Sequence, residues 1–481
     1  MESPARAALM LAVTLSLSGC FESQTDETFE DTVVRDDVGV RVLHAVSDAP
    51  ALRVKADAEV RVAKLDYGQV ATFKLAANHY RFEAAGHTGG ETPEPLLSNL
   101  EGNLTEGRRH DLLLTGSLGN DNARAIVLEQ DDEPFEPEDE GNESDEADEP
   151  VKDVRFRTAH LAPGGGAVDL YLGDTSGSPD ASLAYGESSE PIRVEAGVHR
   201  VQITPAGSSD VIYDSDAVFG WETGDDLLLA VAPATGVQRQ GDSELSLIEV
   251  DGEQSQRVSD TGQGGELAFV NASTGTVTAE DRDDRVTWTD VEPVQKVPER
   301  GYDTSEGGQY ALDFTSSGQR SDQPYGFRLS RGHAGTVVLR ALGAAENGSV
   351  NASFLSNDAR PVATNARVRV FNTWFQDPDS DGKADPVDIY LIEGSGCESP
   401  LSGDGVVPQP NLSSLAYSNR SSMLAVQAGD YQLVVTESDD PGKRLLCDDS
   451  VSLKTHGLYE LVIARSQSGN DSGLIKVNSV R

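Results

Sequence analysis

One pattern recurs four times along the chain, and a repeat of this length limits the fold more than any single residue does. The segments VRVLHAVSDAPALRVKA from Val40 and FRTAHLAPGGGAVDLYL from Phe156 align without a gap, placing His44 over His160. In LAFVNASTGTVTAED from Leu267 and VRVFNTWFQDPDSDGKADPVDIYL from Val368, Asn271 and Asn372 stand where the histidines stood. Downstream, Leu65-Asp66-Tyr67-Gly68, Leu183-Ala184-Tyr185-Gly186 and Leu415-Ala416-Tyr417-Ser418 share one register. Next come AANHYRF, EAGVHRV, EGGQYAL and QAGDYQL, which bring Asn78, Gly197, Gly308 and Gly429 to a common position. Asparagine and glycine best tolerate left-handed backbone, so their interchange predicts a tight hairpin there.

Each unit closes with two apolar runs, such as DLLLTG and AIVLEQ in the first and DLLLAV and ELSLIEV in the second. These runs are short, rich in β-branched residues and punctuated by Gly, Asn, Asp and Ser, with almost no helical period. About seven strands in about 100 residues is the rhythm of a β-sandwich. The expected fold is all-β: tandem Ig-like antiparallel sandwiches joined by acidic, flexible linkers. Alternation predicts one face of each strand in the core and the other in water, as Ile192 and Val194 oppose Arg193 and Glu195.

The expected boundaries are repeats over 38–130, 153–251, 266–357 (divergent) and 365–481. Between them, 131–152 (DDEPFEPEDEGNESDEADEP from Asp131 to Pro150) is acidic and punctuated by proline, predicting an extended linker, and the polar stretch 252–265 predicts a second. The short connection SNDARPVATN suggests that repeats three and four form a more fixed pair.

At the amino terminus, Arg6 leads into the apolar run Ala7 to Leu17 and then Leu17-Ser18-Gly19-Cys20, a run too short to span a bilayer. It resembles a bacterial lipoprotein signal, which implies a signal peptide over 1–19, cleavage before Cys20 and lipidation of Cys20. Phe21, rather than aspartate, follows the cysteine, and the resemblance then points to the outer membrane, with the membrane contacted through the lipid anchor. Residues 20–37 read as a disordered acidic tether. Of three cysteines, lipidation takes one, and an exported compartment permits a disulfide between Cys397 and Cys447.

The net charge of −43 weighs against nucleic acid and anionic headgroups as partners. Such a surface suits a salt-rich habitat, where screening is short-ranged.

VRVLHAVSDAPAL, AHLAPGGGAVDLYL, LAYG and EAGVHRVQITPAG together resemble the 4397 family of domains of unknown function. The resemblance implies an exported protein, often a lipoprotein with tandem copies, and no general activity. Repeat one carries Arg53 and Lys55 where repeats two and four carry Asp169, Tyr171 and Asp388, Tyr390. A shared catalytic role for those positions is therefore not expected.

The eight histidines have no metal-ligand spacing, and no nucleophile elbow, phosphate loop or redox cysteine pair occurs, so the chain reads as non-enzymatic. The recurrent His44 and His160 read either as polar lining of a loop-end site or as groups bonding the backbone of the following turn. The ladder Asp377, Asp379, Asp381, Lys383, Asp385 and Asp388 matches the first, third, fifth, seventh, ninth and twelfth positions of a calcium loop, with Gly382 at the sixth. Its flanks are strands and its twelfth position is Asp, so it reads equally as an acidic turn, and calcium is the one candidate cofactor. The expected function is a cell-envelope binding or spacer module contacting an envelope or extracellular protein or a glycan. The alternative is a carbohydrate-binding or periplasmic scaffold role supporting an envelope enzyme, for which Trp374 and Phe375 are the candidate aromatic pair.

Overall fold

The computed structural model describes residues 37–86, 95–131, 135, 154–237, 242–273, 275–293, 299–301, 303–342, 350–358, 360–374, 384–394, 396–397, 409–438, 440–465 and 472–479. Every regular element among them is a strand, and the chain is a series of tandem β-sandwiches. The leader with Cys20, the tether through residue 36, and 131–152 apart from Asp131 and Phe135 lie outside the described residues.

The first unit sets the plan. Its strands are β1 (Asp37–Val46), β2 (Leu52–Ala56), β3 (Glu59–Leu65), β4 (Val70–Ala76), β5 (His79–Gly86), β6 (Pro95–Asn103), β7 (Arg108–Gly116) and β8 (Arg124–Asp131). One sheet has the order β4-β1-β7-β8 and the other β3-β2-β5-β6. All pairings are antiparallel except β1 with β7, which run parallel with Val42 opposite Leu112. The same parallel pair joins Val154–His160 to Asp226–Pro233, Gly265–Asn271 to His333–Leu342, and Ala366–Asn372 to Leu458–Arg465.

The position shared by Asn78, Gly197, Gly308 and Gly429 is a corner between layers rather than a hairpin. β4 belongs to the sheet of β1 whereas β5 belongs to that of β2, so the chain crosses the sandwich at Ala77-Asn78. Gly197 and Gly308 have φ of 147° and 142°, values that a side chain disfavours. Just beyond the corner, Tyr310 Oη donates to Glu306 O at 2.6 Å and Tyr431 Oη to Gln427 O at 2.9 Å, while His199 Nε2 lies 2.9 Å from Glu195 O. This backward bond across a sheet-to-sheet corner is the tyrosine corner of Ig-like sandwiches.

In each unit the alternate residues of the central strands fill one core; in the first these include Val38, Val40, Val42, Val54, Phe82, Leu112 and Leu114. The opposite faces of those central strands are buried as well, so the expectation that they meet water fails there, whereas it holds at the edge strand Ile192–Val194, where Ile192 and Val194 pack against the second core and Arg193 and Glu195 are exposed. Leu43, Ala45 and Leu113 of the first unit pack against Leu228, Ala230, Ala232, Ile248 and Val250 of the second. Ala268, Val270, Val338 and Leu355 of the third pack likewise against Phe371, Val462 and Ala464 of the fourth. Strands covered on both sides are selected as continuous apolar runs, and that is what DLLLTG, DLLLAV and LAFV are.

Further contacts tie the two pairs together. Val237, Ala334 and Leu458 of the second, third and fourth units meet in one cluster. Arg360, between units three and four, donates to Ser47 O at 3.1 Å and to Ala49 O in the first unit, and Ala363 N donates to Asp48 O at 2.8 Å. Residues Glu299–Gly301, within the expected span of the third unit, pair in parallel with Ser472–Ser479 and extend the fourth unit's sheet.

Two expected linkers are partly structured. Gln254–Ser259 is a fifth strand paired to Leu245–Asp251, and its Val258 packs on the second core while its polar neighbours face out. Phe135, the lone aromatic residue of the acidic stretch, lies beneath Arg155 and Arg193, at 5.1 and 4.7 Å from ring centroid to guanidinium carbon.

Candidate functional site

The recurrent polar residue at the end of the first strand is the natural place to look for chemistry, and all four copies are fully buried. His44 Nε2 lies 3.0 Å from Pro50 O, and its Nδ1 accepts from Val46 N at 3.3 Å. His160 repeats this with Gly166 O at 2.9 Å and Ala162 N at 3.3 Å. Asn271 donates to Gly275 O and Val291 O at 2.7 and 2.8 Å and accepts from Ser273 N at 3.0 Å. Asn372 donates to Leu415 O at 3.0 Å and accepts from Trp374 N at 2.8 Å. In every unit an acceptor takes the N–H two residues on and a donor reaches a carbonyl, so the side chain closes the turn. A neutral imidazole with its proton on Nε2 is the form that satisfies both bonds. Burial, reinforced by the Arg360 charge, pushes the His44 pKa down to about 3, and burial lowers that of His160.

The tyrosine motif closes the same turn from the other side. Gly68 N donates to His44 O, Gly186 N to His160 O and Ser418 N to Asn372 O, each at 2.8 Å. Tyr67 and Tyr185 then present their rings edge-on to His44 and His160, at 5.8 and 6.1 Å between centroids.

Their outer sides meet arginines of neighbouring units, a relation that single-residue reading missed although the tyrosine motif marked the place. Arg124 of the first unit lies over Tyr185 at 4.4 Å, and Arg340 of the third over Tyr417 at 5.7 Å. Tyr67 receives Arg360 at 4.8 Å and Arg257 at 5.9 Å, and its Oη donates to Pro233 O at 3.2 Å.

Asp169 and Asp388 also serve the scaffold. Asp169 accepts from Ser182 Oγ at 2.5 Å and Gly207 N at 2.7 Å, and Asp388 from Ser414 N at 2.7 Å and Ser438 Oγ at 3.2 Å. Of the acidic ladder, Asp377, Asp379, Asp381 and Lys383 lie outside the described residues, and Asp385 and Asp388 lie within them. Among the described residues no group of three or more His, Cys, Asp or Glu is disposed to hold a metal ion. Trp374 is buried in the fourth core, so it offers no exposed platform to a sugar, and Phe375 lies outside the described residues. Cys397 and Cys447 are joined in a disulfide, their Cα atoms 5.9 Å apart.

Buried ion pairs sit where the parallel strands meet the seams. Arg41 clasps Asp111 through two bonds of 2.8 Å, supported by Gln130 at 2.6 Å. In the fourth unit Arg369 Nε donates to Glu460 at 2.7 Å, and Asn357 of the third unit adds a further bond to the same carboxylate. Burial raises the Glu460 pKa against the opposing pull of Arg369. At the first seam Asp226 accepts from Arg155 at 2.8 and 2.9 Å and from Arg109 of the first unit at 3.3 Å.

The fold and these turns define a tandem array of small Ig-like sandwiches whose repeated polar residues serve their own backbone. Residues 38–140 match the model of the DUF4397 family, a domain of unknown function. No curated protein matches the chain. Among solved structures, the Bacillus anthracis TIE protein is similar at 11% identity and a TM-score of 0.14, with 86% of this chain and 66% of that chain covered.

Proposed function

We propose that the chain is a non-enzymatic cell-envelope lipoprotein whose sandwiches act as a packed binding scaffold held at the outer membrane through Cys20. The observation that carries this reading is the turn at His44, His160, Asn271 and Asn372. Four equivalent polar groups, each buried, are taken up by backbone atoms: His44, His160 and Asn271 reach carbonyls of the turn that follows them, and Asn372 accepts from Trp374 N in its turn and donates across to Leu415 O. A repeated catalytic group would need to reach a substrate instead. The apolar leader ending in Cys20, the acidic tether after it and the apolar seams between units suit an anchored body that presents a fixed surface, in place of the independently moving beads that flexible linkers would give.

Labelling cells with a radioactive fatty acid, then fractionating them, tests the anchor: label in the wild-type protein, absent from Cys20→Ser, with the variant released to the soluble fraction. A soluble, unlabelled wild-type protein overturns it. Turnover of an ester, glycan or peptide substrate that vanished on one carboxylate or histidine substitution would overturn the non-enzymatic part.

A further inference from the structure

Between the second and third sandwiches lies a cleft of about 550 Å³, within the range of small-ligand sites. One wall comes from the second unit and includes Asp216 and Arg257, and the other from the third unit and includes Arg328, Ser330, Arg331 and His333. The clustering of three guanidinium groups is unexpected in a chain with 81 acidic residues against 38 basic ones.

Elsewhere the arginines are largely neutralised: Arg41, Arg155, Arg200, Arg282, Arg285 and Arg369 each meet a carboxylate. Arg328 and Arg331 are exposed at the cleft and form no ion pair among the described residues.

The cleft is built, not incidental. Arg257 is oriented by its bond to Thr235 Oγ1 at 2.6 Å and lies 3.4 Å from His333 Nε2. The turn carrying Arg331 is stapled to the second unit: Gly332 N donates to Gly264 O at 2.7 Å and Val237 N to Gly332 O at 2.9 Å. At this crossing a Cβ on Gly236 would come within 2.0 Å of Gly332 O, so the two backbones are in contact. A Cβ on Gly307 would likewise lie 2.7 Å from Arg331 Cγ, so the glycine leaves room for the arginine stem.

We infer that this cleft binds an acidic sugar unit, its carboxylate or sulfate held by Arg328 and Arg331 and its hydroxyls by Asp216 and Ser330. Guanidinium forks match planar carboxylate geometry, and Asp216 on the facing wall disfavours a bare anion while accepting from a hydroxyl. The net charge of −43 does not forbid this. At physiological salt the screening length is about 8 Å, so a ligand in contact with the arginines feels them in preference to the distant carboxylates. The inference stands on the cleft alone and not on the scaffold reading.

Calorimetry on the whole protein in physiological salt, with trigalacturonate, neutral maltotriose and inorganic sulfate as probes, tests it. Trigalacturonate is expected to bind, with maltotriose and sulfate far weaker. Arg328→Gln and Arg331→Gln should each weaken binding about tenfold or more, as loss of a charged hydrogen bond does, without lowering the melting temperature. Arg200→Gln, outside the cleft, is the control and should leave binding unchanged. No binding of trigalacturonate, equal binding of sulfate, or full binding by the Arg328→Gln, Arg331→Gln double variant overturns the inference.

Discussion

The imidazole of His44 reaches the carbonyl oxygen of Pro50 at 3.0 Å and thereby closes the first turn of the first sandwich from inside. His44→Ala would strand that carbonyl and the Val46 amide, a cost of about 1–3 kcal/mol. His44→Asn should cost less, because Asn372 in the fourth unit makes the equivalent amide bond with its shorter side chain. The native histidine also predicts a pH dependence. Its folded pKa, about 3, lies below the ordinary value of 6.5, so its stabilisation is complete above 6.5 and is lost progressively as pH falls from there toward 3. Denaturant titrations at pH 7.5 and 5 should show a larger loss for the wild type than for His44→Asn, and equal losses would refute the assignment.

The fourth unit's seam rests on a buried pair. Removing Arg369 alone, as in Arg369→Met, leaves Glu460 buried beside Asn357 without its cation and should destabilise by about 3–5 kcal/mol. Adding Glu460→Leu should restore most of that loss, since two apolar groups need no partner. A double variant as unstable as the single one would show that the pair is not the source.

Ala230 belongs to the layer between the first two sandwiches, together with Leu43 and Leu113. Ala230→Asp buries an unpaired charge there without touching either core. Small-angle scattering should then show an enlarged radius of gyration with strand content unchanged by circular dichroism. An unaltered radius would mean that this layer does not hold the units together.

These seams explain what was and was not legible in the sequence. The alternation of Val38, Val40 and Val42 and the repeated turn residues carry the sandwich plan, because each unit's own core imposes a period of two. The second buried layer is written in the same strands, as Leu112-Leu113-Leu114 and Leu227-Leu228-Leu229, but an unbroken apolar run has no period to say what covers its other side. The corner at Asn78 is hidden in the sequence for a related reason. A glycine or asparagine announces a turn, whereas only pairing across β1 and β2 decides whether the chain folds back or changes sheet. At the candidate site, the recurrence of His44 and His160 marks one equivalent position, but their target is a backbone carbonyl, and carbonyls leave no trace in sequence. The arginine cleft was invisible because Arg257 and Arg328 approach one another only once two units dock.

The disulfide closes a separation of 50 residues that includes Gly429–Glu437, one of the two central strands of one sheet of the fourth unit. The chain-entropy relation gives about 4 kcal/mol for a loop of this size. Cys397→Ser with Cys447→Ser should lower the melting temperature of the fourth unit's transition and leave the others in place, as differential scanning calorimetry can resolve. If every transition moved together, the fourth unit would have to be unfolding with its neighbours.

Asp388 offers the sharpest separation of scaffold from metal chemistry, because it stands at the twelfth position of the acidic ladder and also repeats the position of Asp169. Asp169 ties Ser182 and Gly207 together in a unit whose corresponding loop has only Gly164, Gly165 and Gly166. Asp388 does the same for Ser414 and Ser438. A carboxylate doing this in both units does so without need of a cation. Asp388→Ala should therefore destabilise the protein by about 1–3 kcal/mol, equally in calcium and in chelator. Asp379→Ala, in the ladder proper, tests the metal reading separately, since any calcium-dependent rise in melting temperature should disappear with it. Should the cost of Asp388→Ala vanish in chelator, Asp388 would be a ligand first and a scaffold residue second.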